Sequence, residues 1–406
     1  MKQILSDITP SSGEVRALNK AAKHFIKKLN KKLIYSKAVL GGSVAKKTFL
    51  KGSHDIDIFV QFEKEKYKKK DISDILYRKL KSLYKNTEKI SGIQKIHGSR
   101  DYYQIIQDPF VFEIIPILKI KKSEHAENIT DVSPLHTKWV KKNAKQLTGE
   151  IRLAKSFCKA NNLYGAESYI RGFSGYVLEL LIAQHKSFIN LMKAASQWNS
   201  GIVIDPGNHT AIHLDKSKLS PLILIDPVQK NRNAAAALSE KKFNEFISLA
   251  KKFLRNPSQD LFIKKDFNLD EIKSAAVLRI SSLEGKKDIV GAKLIKVMEY
   301  IKRRLSEEGF EVKSNDWHWD NNGVYFWYFT KSKILPLEKK HYGPPIKENK
   351  NLQTFKRKYS HYPIKTEGSR TYVILKRKHT HINTFLKELI TDSYIKEKVK
   401  TISLLS

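Results

Sequence analysis

Cysteine is almost missing from this chain: Cys158 is the only one in 406 residues. A single thiol excludes an intramolecular disulfide and a cysteine-rich zinc site, and it fits a reducing compartment. Acidic residues are also scarce. There are 41 Asp+Glu against 76 Lys+Arg, a net charge of +35, and so large an excess on a globular chain points to a polyanionic partner, RNA or DNA, before a membrane. Long apolar runs are lacking, since no window reaches the ~18 uninterrupted apolar residues of a membrane span. The first residues, with Lys2, Asp7 and Glu14, hold no apolar stretch of signal length. No Gly-x-x-x-x-Gly-Lys-Ser/Thr loop occurs, which leaves a P-loop kinase or ATPase without support, and no internal repeat is evident. The lone cysteine and the lack of signal-length and spanning apolar runs predict a cytoplasmic protein.

What is present is enough for several cores. The length exceeds one hydrophobic core and predicts about two to four domains, and 41% hydrophobic residues can fill them. Basic clusters at Lys27-Lys28, Lys31-Lys32, Lys64 to Lys70, Lys121-Lys122, Lys141-Lys142, Lys356-Arg357-Lys358 and Lys376-Arg377-Lys378 suit phosphate oxygens, with the strong salt dependence that follows. Periodicity predicts a basic amphipathic helix over 12–33, a helix over 71–84, and strands over 102–106 and 111–120. From 131 to 258 helical patterns dominate, with one short strand at 222–225. Beyond Pro257 the order reads strand (275–280), long helix (290–305), strands (310–312, 324–329 and 371–375) and a closing helix (383–399). The expected fold is therefore α+β and multidomain: a catalytic domain over 1–130, a mostly helical central domain over 131–258, and an α+β C-terminal region over 259–406.

Chemistry concentrates between Gly41 and Phe59. A Gly41-Gly42-Ser43 turn precedes Asp55-Ile56-Asp57-Ile58 by eleven intervening residues. Side chains alternate across a strand, so Asp55 and Asp57 share one face while Ile56 and Ile58 enter the core. Two like charges in a half-buried place are costly unless a cation neutralises them, and hard oxygen ligands favour magnesium. Upstream, Val39 to Ser43 reads as a strand running into a helix start, where glycine lets backbone N–H groups approach phosphate. An Asp-x-Asp pair alone is usually a solvated feature of a sheet face. Placed at this distance from Gly-Gly-Ser, it outlines a nucleotide-transfer site.

The pattern resembles the nucleotidyltransferase superfamily of DNA polymerase beta, and within it the archaeal-type, class I CCA-adding enzymes, which are tRNA nucleotidyltransferases. Three stretches carry the resemblance over roughly residues 40–258: the Gly41–Phe59 motif, Leu163-Tyr164-Gly165-Ala166-Glu167-Ser168-Tyr169-Ile170-Arg171-Gly172-Phe173-Ser174-Gly175-Tyr176-Val177-Leu178-Glu179-Leu180-Leu181, and Ile225-Asp226-Pro227-Val228-Gln229-Lys230-Asn231-Arg232-Asn233-Ala234-Ala235-Ala236. His341-Tyr342-Gly343-Pro344-Pro345 adds modest support.

The resemblance implies a polymerase-beta-like catalytic domain, a central domain completing the nucleotide site and a C-terminal tRNA-binding body and tail. It makes Asp55 and Asp57 metal ligands and places a third carboxylate at Glu113, in Phe112-Glu113-Ile114-Ile115-Pro116, where the family usually has aspartate. Two Mg2+ ions are implied, with ATP and CTP as substrates and the tRNA acceptor arm as partner; a homodimer stays open, and no membrane is involved. Gly42, Ser43 and Lys46 are expected at the triphosphate or primer end. His136, Lys155 and Tyr164 are expected at the phosphates, although Val132 stands where the family commonly has arginine. Arg232 is expected to read the incoming base, because its guanidinium fork can bond base edges where lysine cannot. The Gly172 to Gly175 segment reads as a turn and helix start, and Trp317, Trp319, Tyr325, Trp327 and Tyr328 read as core in preference to base-stacking residues. The competing readings are a poly(A)- or oligoadenylate-forming transferase and an RNA-binding relative that has lost catalysis, the latter motivated by Glu113 and Val132.

Overall fold

Ser11 and Glu14 close a capping box, each side chain bonding the other residue's backbone N–H, and this box starts the first long helix. The computed structural model describes residues 1–83, 91–209, 214–320 and 323–405, and divides into two compact units, 1–265 and 266–406.

The first unit opens with α1 (Lys2–Ile8), α2 (Ser12–Asn30), β1 (Ser36–Leu40), α3 (Gly42–Lys46), β2 (Asp55–Glu63), α4 (Lys64–Tyr67), α5 (Ile72–Leu83), β3 (Ser91–Ile96), β4 (Tyr102–Gln107) and β5 (Phe110–Lys119). Its sheet has the order β1-β2-β5-β4-β3, with β2 and β5 the parallel pair. Leu18, Ala22, Phe25 and Leu29 of α2, with Leu76 and Leu80 of α5, pack against Ile56, Ile58, Val60 and Phe62 of β2. Phe25 stacks on Phe112 with ring centroids 4.6 Å apart. The helices thus cover the isoleucine side of β2 and leave the aspartate side for the site.

A second core follows in the same unit, built by α6 (Ser133–Asn143), α7 (Thr148–Ala160), α8 (Gly175–His185), α9 (Phe188–Ala195) and α10 (Glu240–Arg255), with β6 (Ile202–Ile204), β7 (Leu222–Asp226) and β8 (Gln229–Asn233) as a small sheet. Buried Asp131 anchors the approach to α6. It accepts from the Arg100 guanidinium and from the amides of Leu118, Glu127 and Asn128 at 2.8, 3.1 and 3.0 Å. Here the structure adds α9, β6 and β8 to the elements read from periodicity.

The second unit contains β9 (Ala276–Ser281), α11 (Lys287–Glu308), β10 (Val312–Asp320), β11 (Gly323–Thr330), β12 (Glu338–Pro345), α12 (Asn349–Lys358), β13 (Lys365–Glu367), β14 (Arg370–Lys376), α13 (Ile382–Leu389), α14 (Ser393–Lys396) and β15 (Thr401–Leu405). One antiparallel sheet runs β10-β11-β9-β15, another β12-β14-β13. The strand expected at 310–312 instead runs through Asp320, because pairing with β11 lets Trp317 and Trp319 pack on the helix-covered face of the sheet. Tyr328 is fully buried and Tyr325 nearly so. The expected closing helix is two short ones: Asp392 caps a fresh start by accepting from the Tyr394 amide, and the chain then pairs β15 with β9. Among the described residues no helix is long and apolar enough to cross a membrane.

Candidate active site

Register decides the geometry of the carboxylates. On the parallel β2–β5 pair, Asp57 stands level with Glu113, and Asp55 lies two residues before Asp57 on the same face. Asp55 is exposed, whereas Asp57 and Glu113 are half-buried. Burial, then the charges of Asp57 and Asp55, push the Glu113 carboxyl up to about 7, opposed by a hydrogen bond from Gln104. Asp57 is likewise raised, chiefly by burial, while Lys46 and Lys155 act to lower it. Tyr102, half-buried beside the same carboxylates, is pushed up to about 12 by burial and by Glu113 and Asp57.

Gly42 sets the approach of the preceding turn. Its φ is +56°, and a Cβ there would run into the Asp57 carboxylate; only glycine satisfies both the conformation and the contact. The Gly41 amide donates to the Asp57 carbonyl at 2.8 Å, tying the turn to β2. Ser43 follows in the first turn of α3.

Among the described residues, no three His, Cys, Asp or Glu side chains close round one ion. The donor chemistry still fits a hard divalent cation. The charge of Asp55 raises Asp57, and both raise Glu113; magnesium keeps waters and takes one or two carboxylates together with substrate phosphates rather than demanding an all-protein cage.

Lys46 and Lys155 meet on a residue the sequence reading gave no role. Lys46 Nζ lies 2.5 Å from Glu179 Oε2, and Lys155 Nζ 2.9 Å from Glu179 Oε1. Thr48 Oγ1 donates to the same Oε1 at 2.7 Å and accepts from Lys155 at 3.0 Å. Tyr164 belongs to this group: its hydroxyl and the Lys155 ammonium both flank Gly175, 2.7 and 3.7 Å from where a Cβ would sit. The loop carrying Tyr164 is closed by backbone bonds from Phe173 to Leu163, Gly165 to Phe173 and Gly172 to Gly165, at 2.7, 2.9 and 2.8 Å. A Cβ on Gly172 would strike the Leu163 backbone. Ser174 then caps α8 through the Val177 amide, so the Gly172–Gly175 segment is a turn and a helix start.

Comparison with known proteins now bears on this geometry. Residues 21–134 match the nucleotidyltransferase domain, 149–263 the second domain of tRNA nucleotidyltransferase, and 278–401 the C-terminal domain of the CCA-adding enzyme. The CCA-adding enzyme of Nanoarchaeum equitans is 38% identical over 375 residues, covering 91% of each chain. The chain belongs to the CCA-adding enzyme family. Those of Methanocaldococcus jannaschii and Methanothermobacter thermautotrophicus are 30% and 29% identical, each over 96% of this chain and over 90% and 87% of theirs. A CCA-adding enzyme is a tRNA nucleotidyltransferase, and metal-dependent nucleotide transfer belongs to the family chemistry.

A third group gathers on Asp226, which is fully buried at the end of β7. Arg232 Nη1 lies 2.5 Å from its Oδ2, and His136 Nε2 2.9 Å from the same oxygen. The Tyr176 hydroxyl and the Val228 amide donate to Oδ1 at 3.1 and 3.0 Å. Burial acts to raise this carboxyl, but His136 and Arg232 outweigh it and hold it below the usual range. His136 also stacks on Tyr176, centroids 4.2 Å apart. Arg232 is on β8, in the hairpin that β8 forms with β7. Sequence reasoning missed Thr48, Tyr176, Glu179 and Asp226. The signal available was an isolated acid in an otherwise apolar helix (Glu179) and in an apolar strand (Asp226).

Proposed function

We propose that this chain adds CCA to the 3′ end of tRNA without a nucleic-acid template, using CTP and ATP. The carrying observation is the level placement of Asp57 and Glu113 on adjacent parallel strands, with Asp55 on the same face and with the charges of Lys46 and Lys155 felt at Asp57. Acids that repel one another, beside cations that can meet phosphate, suit transfer of a nucleotidyl group.

Asp55, Asp57 and Glu113 hold the divalent cations in this reading, and Gly42 keeps the turn close enough for Ser43 to face the triphosphate. Lys46, Lys155, Tyr164 and His136 take the phosphates, and Arg232, fixed by Asp226, reads the base edge. The RNA 3′-hydroxyl attacks the α-phosphorus in line; a phosphorus–oxygen bond forms as the bond to pyrophosphate breaks, and the hydroxyl proton is lost. Two magnesium ions, when bound, supply a more acidic 3′-hydroxyl and compensation of the triphosphate charge. The protein's part is positioning and fixed charge, with no covalent enzyme intermediate. The charge of +35 supports a grip on the tRNA acceptor arm through backbone and shape.

The test is extension of tRNA lacking its last three nucleotides, with magnesium, CTP and ATP, read by sequencing the 3′ ends. The expected product is a three-residue CCA end. Tails of A alone would favour an oligoadenylate-forming transferase, and tRNA binding without extension would favour an inactive RNA-binding relative.

A further inference from the structure

Glu179 lies in the first half of α8 with no solvent exposure, yet it touches groups from three other places: Lys46 of α3, Thr48 just after it, and Lys155 of α7. The two lysines divide its carboxylate, one on each oxygen, and Thr48 shares the oxygen that Lys155 uses. A pair serving packing alone would balance one acid with one base, because uncompensated buried charge is costly. Here two ammonium groups meet one carboxylate, which leaves one positive charge in excess. The side chains grade outward, from 0% exposure at Glu179 through 5% at Lys155 to 11% at Lys46. The excess charge therefore lies on the side from which a ligand can arrive, and Asp57 feels both lysines.

We propose that Glu179 is a positioning residue for the nucleoside triphosphate: it fixes the Lys46 and Lys155 ammonium groups side by side and leaves their net positive charge for the polyphosphate to neutralise. This rests on the nucleotide-transfer reading above. Glu179 also keeps Lys155 cationic. Burial, the largest influence on that lysine, lowers its pKa; Glu179 opposes it, and the charges of Lys46 and Lys159 work with burial. Among the described residues, the Tyr164 hydroxyl on the adjoining loop and Asp57 on β2 also lie near Lys155.

The experiment is steady-state CTP and ATP incorporation by the full chain and two variants, with melting temperature as the folding control. Glu179→Gln keeps the shape and removes the charge. It is expected to raise the KM for both nucleotides about tenfold with kcat changed less than about threefold. That KM should fall again as pH is lowered and Lys155 regains its proton, by more than any change with pH in the unaltered chain. Lys46→Met leaves a balanced Lys155–Glu179 pair and keeps the protein folded if Glu179→Gln does not fold. It too should raise KM, without the pH reversal. Unchanged KM in the folded variants, with activity falling only as folded protein is lost, would overturn the proposal. Absence of incorporation by the unaltered chain would instead overturn the nucleotide-transfer reading, and the proposal with it.

Discussion

Two sets of acids in the first unit behave in opposite ways. Among the described residues Asp55, Asp57 and Glu113 share a face with no Lys or Arg in a salt bridge to them; burial and the charge of Asp55 raise Asp57, and burial with the charges of Asp57 and Asp55 raises Glu113. Glu179 and Asp226 are more deeply buried, yet their cations outweigh burial and hold them below the usual range. Burial alone therefore says little about an acid's task. An acid satisfied by its own protein is a fixture, whereas acids left to repel their neighbours suit a site that takes a cation, as proposed above.

The most severe way to break this contrast is to delete the unsatisfied set. Asp55→Ala/Asp57→Ala should reduce nucleotide incorporation by at least about 10³-fold, since charge stabilisation at the transferring phosphoryl group is lost. It should leave the melting temperature unchanged or higher, because two repelling charges are gone. A double variant that kept activity would remove these residues from the chemistry.

Gly42→Ala tests whether the turn must touch Asp57. A side chain at φ +56° costs about 1 kcal/mol, and its Cβ must displace the Asp57 carboxylate. Displacement of that size is expected to lower kcat on the order of 100-fold. Activity within a few-fold of the unaltered chain would show that the turn does not set the carboxylate.

The satisfied set should respond in stability. Asp226→Asn removes the charge that Arg232, His136 and Tyr176 share; because Arg232 is partly solvated, the expected loss is about 2 kcal/mol, a fall in melting temperature of roughly 4–8 °C. Asp226 has a lowered carboxyl pKa in the fold. Its contribution is therefore present at neutral pH and is lost only as pH falls below the ordinary value of about 4 and through the folded pKa. A difference between the variant and the unaltered chain that vanished already at pH 6 would contradict this.

The two sets were not equally legible. Asp55, Asp57 and Gly42 announce themselves because a strand's period of two and a glycine turn are local patterns, and the Ile56/Ile58 side did pack under α2 and α5 as alternation requires. Glu179 had no such signature: its partners Lys46 and Thr48 are 133 and 131 residues away in sequence, and an acid within an apolar helix reads only as an oddity until the fold supplies its lysines. Arg232 was singled out by resemblance, but its hairpin was not, since Gln229 to Asn233 is polar and has no strand periodicity. In the second unit, Asp316 to Asp320 looks like a loop until β11 pairs with it. Long-range pairing, charge pairing included, is what single-sequence periodicity cannot see.

The smallest effect is the sharpest test of the contrast, because it reverses the usual sign. Glu113 has its carboxyl raised to about 7 in the fold, above the ordinary value of about 4.3. The folded chain therefore holds this proton more tightly than the unfolded chain, so its stabilising effect is full below the ordinary value and disappears as pH rises toward 7. Without divalent cation at pH 8, Glu113→Gln should be more stable than the unaltered chain by about 1 kcal/mol, a rise of roughly 2–4 °C in melting temperature. By pH 5 most of that gain should be gone, since the native glutamate is then protonated and uncharged like the amide. Magnesium at pH 8 should restore stability to the unaltered chain and do less for the variant, because the charge repulsion it relieves is present only in the former. A Glu113→Gln chain that was less stable at pH 8, by an amount unaffected by pH or magnesium, would mean that Glu113 is satisfied within the protein as Glu179 and Asp226 are.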